Sequence, residues 1–343
     1  MTILDYGWNK YSSEPATSEF ARVGVQNKTN YVLYSDYGEL TGVVRGKFFL
    51  QEMPKVGDWV KILKLHGEDK AAIEELLPRK SVITRSNEKG ASEILVANVD
   101  LVLVVTSLDA DFSPRRLERY IVAATAAGCE FAVLLTKSDL VMNLHSYVTA
   151  ATSVAKGRPV LAVSNKTLQG ITELKGLIPV GITVVCMGSS GVGKSSLLNT
   201  LLGEAAQRTA EVRLEDSKGR HTTTRREMFL LPGGGILIDT PGMREFGVDV
   251  VTADVTETFA DVEELVRSCK FTDCDHVQTK GCAVLAALKD GNLSEGRYRG
   301  YIKLLREARF QEEKDNTLVR LTRKQKDKKL KTSLKQLYKN RQK

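Results

Sequence analysis

The sequence predicts a multidomain α/β protein: a small β-barrel, then a parallel sheet with flanking helices, then a helical segment that binds metal. Three observations predict it. From Phe20 to about Leu77, short β-rich runs alternate with Gly and Asn turn signals. From residue 101 to 187, apolar runs of strand length alternate with helical patterns, the signature of βαβ units. Three of the five cysteines cluster with one of only four histidines. With 343 residues and 42% hydrophobic content, the chain has room for more than one core, since single domains usually run to about 100 to 200 residues.

The barrel is read from ARVGV, NYVLYS, LTGVVRG, KFFLQ and DWVKILKL, and assigned to residues 1–78. A polar, mixed-charge stretch at 79–93 reads as an exposed linker. The α/β region, 94–250, opens with LVLVV (101–105), followed by a helix that starts at Ser113-Pro114 and stops at Gly128. Then come FAVLL (131–135), a helix over 139–156, PVLAVS (159–164), a short helix and ITVVCM (182–187). EMFLL and ILID form a hairpin around Pro232–Gly235, and residues 251–343 are largely helical.

Composition narrows the partners. No apolar run approaches the roughly 18 uncharged residues that span a bilayer, and the start lacks a basic region followed by an apolar stretch. A soluble, cytoplasmic monomer is expected. The net charge of +8 is concentrated at the end: residues 321–343 hold ten Lys or Arg against Asp327 alone, or +9. Such a run is either a solvated helix face or a phosphate-binding tail. Cys129 and Cys186 lie in apolar segments and read as small core residues.

GSSGVGKS directly follows a strand and precedes a helical stretch, which is the context a P-loop requires. Gly188, Gly191 and Gly193 let backbone N–H groups turn toward phosphate oxygens, and Ser189, Ser190, Val192 and Ser196 complete the loop. Lys194 neutralises the β and γ phosphates, and Ser195 offers a hydroxyl to Mg²⁺. DTPG ends the next strand but one, where Asp239 could hold Mg²⁺ through water and the Gly242 amide could meet the γ phosphate. Between them GRHTTT is a polar loop in which Thr223, or failing it Thr222, could complete the Mg²⁺ shell. TKSD, at the end of FAVLL, offers Asp139 to accept from the N1–H and exocyclic amine of guanine, and the Lys137 stem to pack on the base. Adenine has no N1–H, so this aspartate selects guanine. Thr136 stands where Asn is usual, which is expected to weaken the contact, and Ser138 lies within the same loop. Ser164 and Asn165 could supply a backbone contact to the guanine carbonyl.

These motifs run in the order base loop, second base loop, P-loop, threonine loop, DTPG, whereas ordinary GTPases begin with the P-loop. The domain therefore reads as a circularly permuted P-loop GTPase. Permutation costs the site nothing if every loop lies at the C-terminal end of a parallel strand. Farther on, Cys269, Cys274, His276 and Cys282 offer three thiolates and one imidazole within fourteen residues, a set suited to one closed, structural Zn²⁺ site.

Motif order, GRHTTT and the Cys-Cys-His-Cys spacing together resemble the circularly permuted GTPases that depend on the small ribosomal subunit, the RsgA family. VGDWV (56–60) and ANVD (97–100) resemble it too. The resemblance implies an OB-fold barrel, a permuted GTPase and a zinc-containing helical domain. It further implies GTP hydrolysis stimulated by the small (30S) subunit and its rRNA, late in that subunit's maturation. Met243 stands where Ras-like enzymes carry a water-positioning glutamine, so intrinsic hydrolysis should be slow. His221 is the nearest polar residue to orient water, but it could equally hold its loop or touch RNA. Two other readings stay open: a P-loop ATPase or kinase in which Asp139 is incidental, and a nucleotide-gated rRNA-binding module with negligible hydrolysis.

Overall fold

The computed structural model describes residues 1–44, 52–86, 92–109, 112–203, 226–240, 255–256, 258–271, 274, 276 and 279–315. The chain divides into two compact units, Met1–Val248 and Asp249–Lys343. Among the described residues, no helix is long and apolar enough to cross a membrane.

The first unit opens with a one-turn helix, α1 (Trp8–Tyr11), and five strands: β1 (Phe20–Gln26), β2 (Tyr31–Ser35), β3 (Gly38–Val44), β4 (Trp59–Lys64) and β5 (Lys70–Leu76). Alternation closes them into a barrel. In β2, Tyr31, Leu33 and Ser35 turn inward while Val32 and Tyr34 are half-buried. The barrel core collects Ala21, Val23, Leu33, Leu40, Val60, Ile62, Ala71 and Ile73. β1 pairs with both β2 and β4, and β3 runs parallel to β5, giving the closed order 1-2-3-5-4-1 of an OB fold. KFFLQ lies outside the described residues. The Ala- and Glu-rich run at 70–76, whose residues carry no strand pattern, is β5, because Ala71, Ala72 and Ile73 are all buried there.

The stretch expected as an exposed linker is a two-stranded antiparallel sheet, β6 (Val82–Ser86) with β7 (Ser92–Ala97). Of the apolar residues in VITRS and SEILVA, Ile83, Leu95 and Val96 are buried. Beyond it β8 (Leu101–Ser107), β9 (Glu130–Thr136), β10 (Val160–Ala162), β11 (Thr183–Met187) and β13 (Ile236–Asp239) run parallel in the order 10-9-8-11-13, with β12 (Glu227–Leu230) antiparallel at the end. Helix α2 (Pro114–Ala126) and α3 (Leu144–Ala155) pack with Val102, Val104, Val133, Leu135 and Val185. The alternate residues Leu103, Val105, Ala132, Leu134 and Val184 pack with α4 (Ile171–Gly176) and α5, the helix at 194–203. The sheet is thus covered on both faces, as a parallel sheet requires. The helix expected from residue 139 starts at Leu144, where Asn143 caps it, and Ser138–Leu140 is a single 3₁₀ turn.

Barrel and sheet are locked by VGDWV and ANVD. Asn98 donates to the Gly57 carbonyl (3.1 Å) and accepts from Lys80 N–H (2.9 Å), while Asp100 accepts from Thr183 N–H (2.7 Å) at the foot of β11. The buried Arg22 guanidinium donates to the carbonyls of Tyr6, Gly57 and Asn98 at 2.5, 3.3 and 3.0 Å, and lies over Trp59. Gly57 has φ +94°, and a Cβ there would stand 2.0 Å from the Ala97 carbonyl, so only glycine permits this approach.

In the second unit, α6 (Ala260–Arg267), α7 (Ala283–Lys289) and α8 (Glu295–Asp315) bury Val262, Val284, Leu304 and Leu305. Arg297 of α8 grips Asp261 with two hydrogen bonds of 2.6 Å and lies over Phe259, and Tyr301 donates to Glu263 at 2.5 Å.

Candidate nucleotide site and metal centre

The strand order places the predicted loops together. From β8 the chain adds β9 and β10 on one side, and from β11 it adds β13 on the other, so the winding order reverses between the adjacent parallel strands β8 and β11. Ligands of open α/β sheets bind outside the carboxyl ends of strands at such a switch point. TKSD follows β9, Ser164 and Asn165 follow β10, the P-loop follows β11, and Asp239 ends β13.

The P-loop is shaped by its glycines: Gly191 and Gly193 have φ of +82° and +91°. Gly188 passes so close to β8 that a Cβ would stand 2.1 Å from the Val105 carbonyl. Lys194, the first residue of α5, folds its ammonium back over the loop, donating to the carbonyls of Gly188 (2.6 Å) and Ser189 (2.5 Å). Ser195 and Ser196 are exposed in the first turn. Burial pushes the Asp239 carboxyl above its ordinary range, partly offset by the Thr240 N–H and by the attraction of Lys194. That coupling puts the DTPG aspartate within electrostatic reach of the P-loop lysine, and a divalent cation there would relieve the cost of ionising it.

The base loop is tied to the P-loop by one hydroxyl. Thr136, 1% exposed, donates from Oγ1 to the Val192 carbonyl at 2.6 Å, with the Thr106 carbonyl at 3.2 Å. The expectation that threonine weakens this position took no account of this contact between the loops. Asp139 accepts from Ser164 Oγ at 2.6 Å, and that hydrogen bond holds its carboxyl below the usual range. Ser164 Oγ also accepts from the N–H groups of Lys166 and Thr167, both at 3.2 Å, so it orders the second base loop and aims the aspartate together. Lys137 takes φ +57° and extends its ammonium to Asp109 Oδ2 at 2.8 Å. Sequence reading did not single out Asp109, nor Arg116 of α2, which donates to Ser189 Oγ at 3.0 Å. Their only signal is position: both lie just beyond β8, the strand flanked by β9 and β11. His221, Thr222, Thr223, Gly242 and Met243 lie outside the described residues, as does the tail 321–343.

In the second unit, ligand atoms of Cys269, Cys274, His276 and Cys282 all lie within 4.8 Å of one another. Cys269 and Cys282 sulfurs are 3.8 Å apart, and His276 Nδ1 is 3.6 and 3.4 Å from them. A tetrahedral ion with metal–sulfur bonds of about 2.3 Å and a metal–nitrogen bond of about 2.0 Å gives sulfur–sulfur edges of about 3.8 Å and sulfur–nitrogen edges of about 3.5 Å. These three edges match a tetrahedral metal ion, with Cys274 within 4.8 Å to complete the set. Burial opposes ionisation of Cys269, yet the N–H groups of Val284 and Ala283 bring its thiol below the usual value. Cys282 caps α7, accepting from Leu285 N–H at 3.4 Å.

A family model described as RsgA GTPase matches residues 76–249. The chain belongs to the RsgA GTPase family. It is 41% identical over 323 residues to "Small ribosomal subunit biogenesis GTPase RsgA 2" of Listeria monocytogenes, covering 92% of each chain. It is 35% identical to the Leptospira interrogans protein named small ribosomal subunit biogenesis GTPase RsgA, covering 99% of this chain and 97% of that one. Among solved structures, YjeQ from Thermotoga maritima superposes with a TM-score of 0.64 at 28% identity, over 84% of this chain and 98% of that one. YloQ, described as a circularly permuted GTPase, superposes with a TM-score of 0.63 at 24% identity and supports the fold. As an RsgA-family member the chain is a GTPase, and its barrel, permuted P-loop sheet and Cys3His unit follow the expected order.

Proposed function

We propose that this RsgA-family GTPase hydrolyses GTP to GDP and phosphate under stimulation by the small (30S) ribosomal subunit, acting as a cytoplasmic, monomeric factor late in that subunit's maturation. The observation that carries the nucleotide half is the Thr136–Val192 hydrogen bond, which fastens the base-reading loop to the phosphate loop so that one nucleotide can span both. Asp139 would read guanine N1–H and the exocyclic amine, Lys137 would pack on the base, and the P-loop amides with Lys194 would hold the phosphates. Ser195, Asp239 and Thr223 would complete the Mg²⁺ shell, the Gly242 amide would sense the γ phosphate, and His221 would orient water. Magnesium would draw charge from the phosphates as the terminal P–O bond breaks. The Cys3His set would hold structural Zn²⁺.

The ribosomal half is supported by the names of relatives that align over nearly the whole chain. It is also supported by an OB barrel, a fold that binds RNA, and by the basic tail. Phosphate release measured with and without purified small subunits tests the proposal. Turnover should be slow alone and rise about a thousand-fold or more with subunits, the range a supplied activating group gives. Equal rates in the two arms would leave a nucleotide-gated RNA-binding module. His221→Ala should lower the stimulated rate while leaving GTP affinity intact.

A further inference from the structure

Thr136 has one hydroxyl hydrogen, and it is committed to the Val192 carbonyl at 2.6 Å. It therefore has no donor left for the base. Guanine presents N7 and O6 as acceptors along one edge. With Asp139 holding N1–H and the exocyclic amine, the six-membered ring lies toward the aspartate. The five-membered ring, which carries both N7 and the ribose-bearing nitrogen, then lies on the P-loop side. A donor for N7 must come from that side.

One side-chain amide stands there. Asn165, on the second base loop, has its Nδ2 4.0 Å from where a Cβ of Gly193 would be, and Thr136 Oγ1 is 3.9 Å from the same point. The two side chains therefore flank the same P-loop residue. The Asn165 Oδ1 is buried and has no hydrogen-bond partner among the described residues, so the amide is not anchored through its oxygen by the protein. It is the placement of the Nδ2 donor beside the P-loop, not the oxygen, that bears on a base acceptor.

We infer that the Asn165 side-chain amide is a specificity-determining donor to guanine N7, supplying from the second base loop the amide that Thr136 cannot offer. The inference rests on the guanine pocket proposed above. It assigns the side chain a role separate from the backbone contact to O6.

Titrations of the full-length protein with GDP, 7-deaza-GDP (a CH in place of N7) and IDP (no exocyclic amine) separate the contributions. Wild type should bind GDP about ten-fold more tightly than 7-deaza-GDP, a ratio in the range of one lost hydrogen bond. Asn165→Ala and Asn165→Ser should bring that ratio close to one, while the preference for GDP over IDP, set by Asp139, persists. Thr136→Asn in the Asn165→Ala background should restore discrimination, because it returns an amide to the same P-loop contact. A wild type indifferent to N7, or an Asn165→Ala protein that weakens GDP and 7-deaza-GDP equally, would overturn the inference while leaving the pocket standing. Failure to prefer GDP over IDP at all would instead sink the guanine pocket, and the inference with it.

Discussion

The conformation of the nucleotide loops depends on a few hydroxyl contacts that no motif search weighs. Thr136 bridges β9 and the P-loop through a hydrogen bond shielded from water, so removing its hydroxyl leaves the Val192 carbonyl unsatisfied, at a cost of about 1 to 3 kcal/mol. Thr136→Val should weaken GDP binding by about ten-fold or more in equilibrium titration, and Thr136→Ser should bind nearly as wild type; equal loss in both variants would point to packing instead of the hydroxyl. At Asp139 the Ser164 hydrogen bond favours the charged carboxylate, so its pKa is depressed and the carboxylate persists to lower pH. Ser164→Ala should therefore move the acid limb of GDP binding upward in pH, toward the ordinary carboxylate range. An unshifted limb would mean that Asp139 does not govern it.

Among the elements, those with strong patterns were legible and those decided by tertiary contacts were not. TKSD, GSSGVGKS and DTPG could be placed at strand ends because each follows a short, continuously apolar run of the kind a parallel sheet covered on both faces buries. KAAIEEL could not, since its residues favour helix in isolation and become β5 only by pairing with β3 and β4. VGDWV was noticed as a resemblance, but its reason is spatial. Asp58, 0% exposed, receives two 2.7 Å hydrogen bonds from Arg79 and a third of 2.7 Å from Lys55 N–H. Burial pushes the Asp58 carboxyl up, and the bidentate Arg79 guanidinium offsets part of that rise. Asp58→Ala would leave Arg79, whose side chain is only 9% exposed, with the exposed Glu52 at 2.7 Å as its remaining carboxylate, so the loss should reach at most the typical cost of breaking a buried pair, about 3 to 5 kcal/mol. Its urea midpoint should fall accordingly, and the double variant Asp58→Ala/Arg79→Leu should recover much of the loss. If the single variant unfolded at the wild-type midpoint, the lock between barrel and sheet would lie elsewhere.

At the scale of the whole molecule, charge is distributed to suit two different ligands. Residues 321–343 carry +9 of a net +8, so the remainder of the chain is close to neutral at −1. A near-neutral body would give non-specific RNA little to hold, and a salt-sensitive attraction should therefore reside in the tail. Each phosphate neutralised contributes about 0.7 to 0.9 to the slope of log affinity against log salt. If three or more of the ten cations touch RNA, deleting 321–343 should lower that slope by about 2 or more and weaken small-subunit binding about ten-fold near physiological salt. GTP affinity should stay unchanged, because every group proposed to hold the nucleotide lies between residues 136 and 242. Sedimentation with small subunits across a salt series reads both quantities, and an unaltered slope would show that the cations remain solvated when the subunit is bound. The Cys3His site, proposed to hold zinc, supplies the internal control for the same assay. Cys274→Ser should abolish metal retention, read as zinc per chain by mass spectrometry, since three ligands hold a structural ion far less well than four. If the metal unit and the tail act separately, losing zinc should reduce subunit affinity without altering the salt slope. A slope that fell with the zinc as it does with the tail would mean the metal unit positions the cations, and the two would have to be treated as one RNA-binding device.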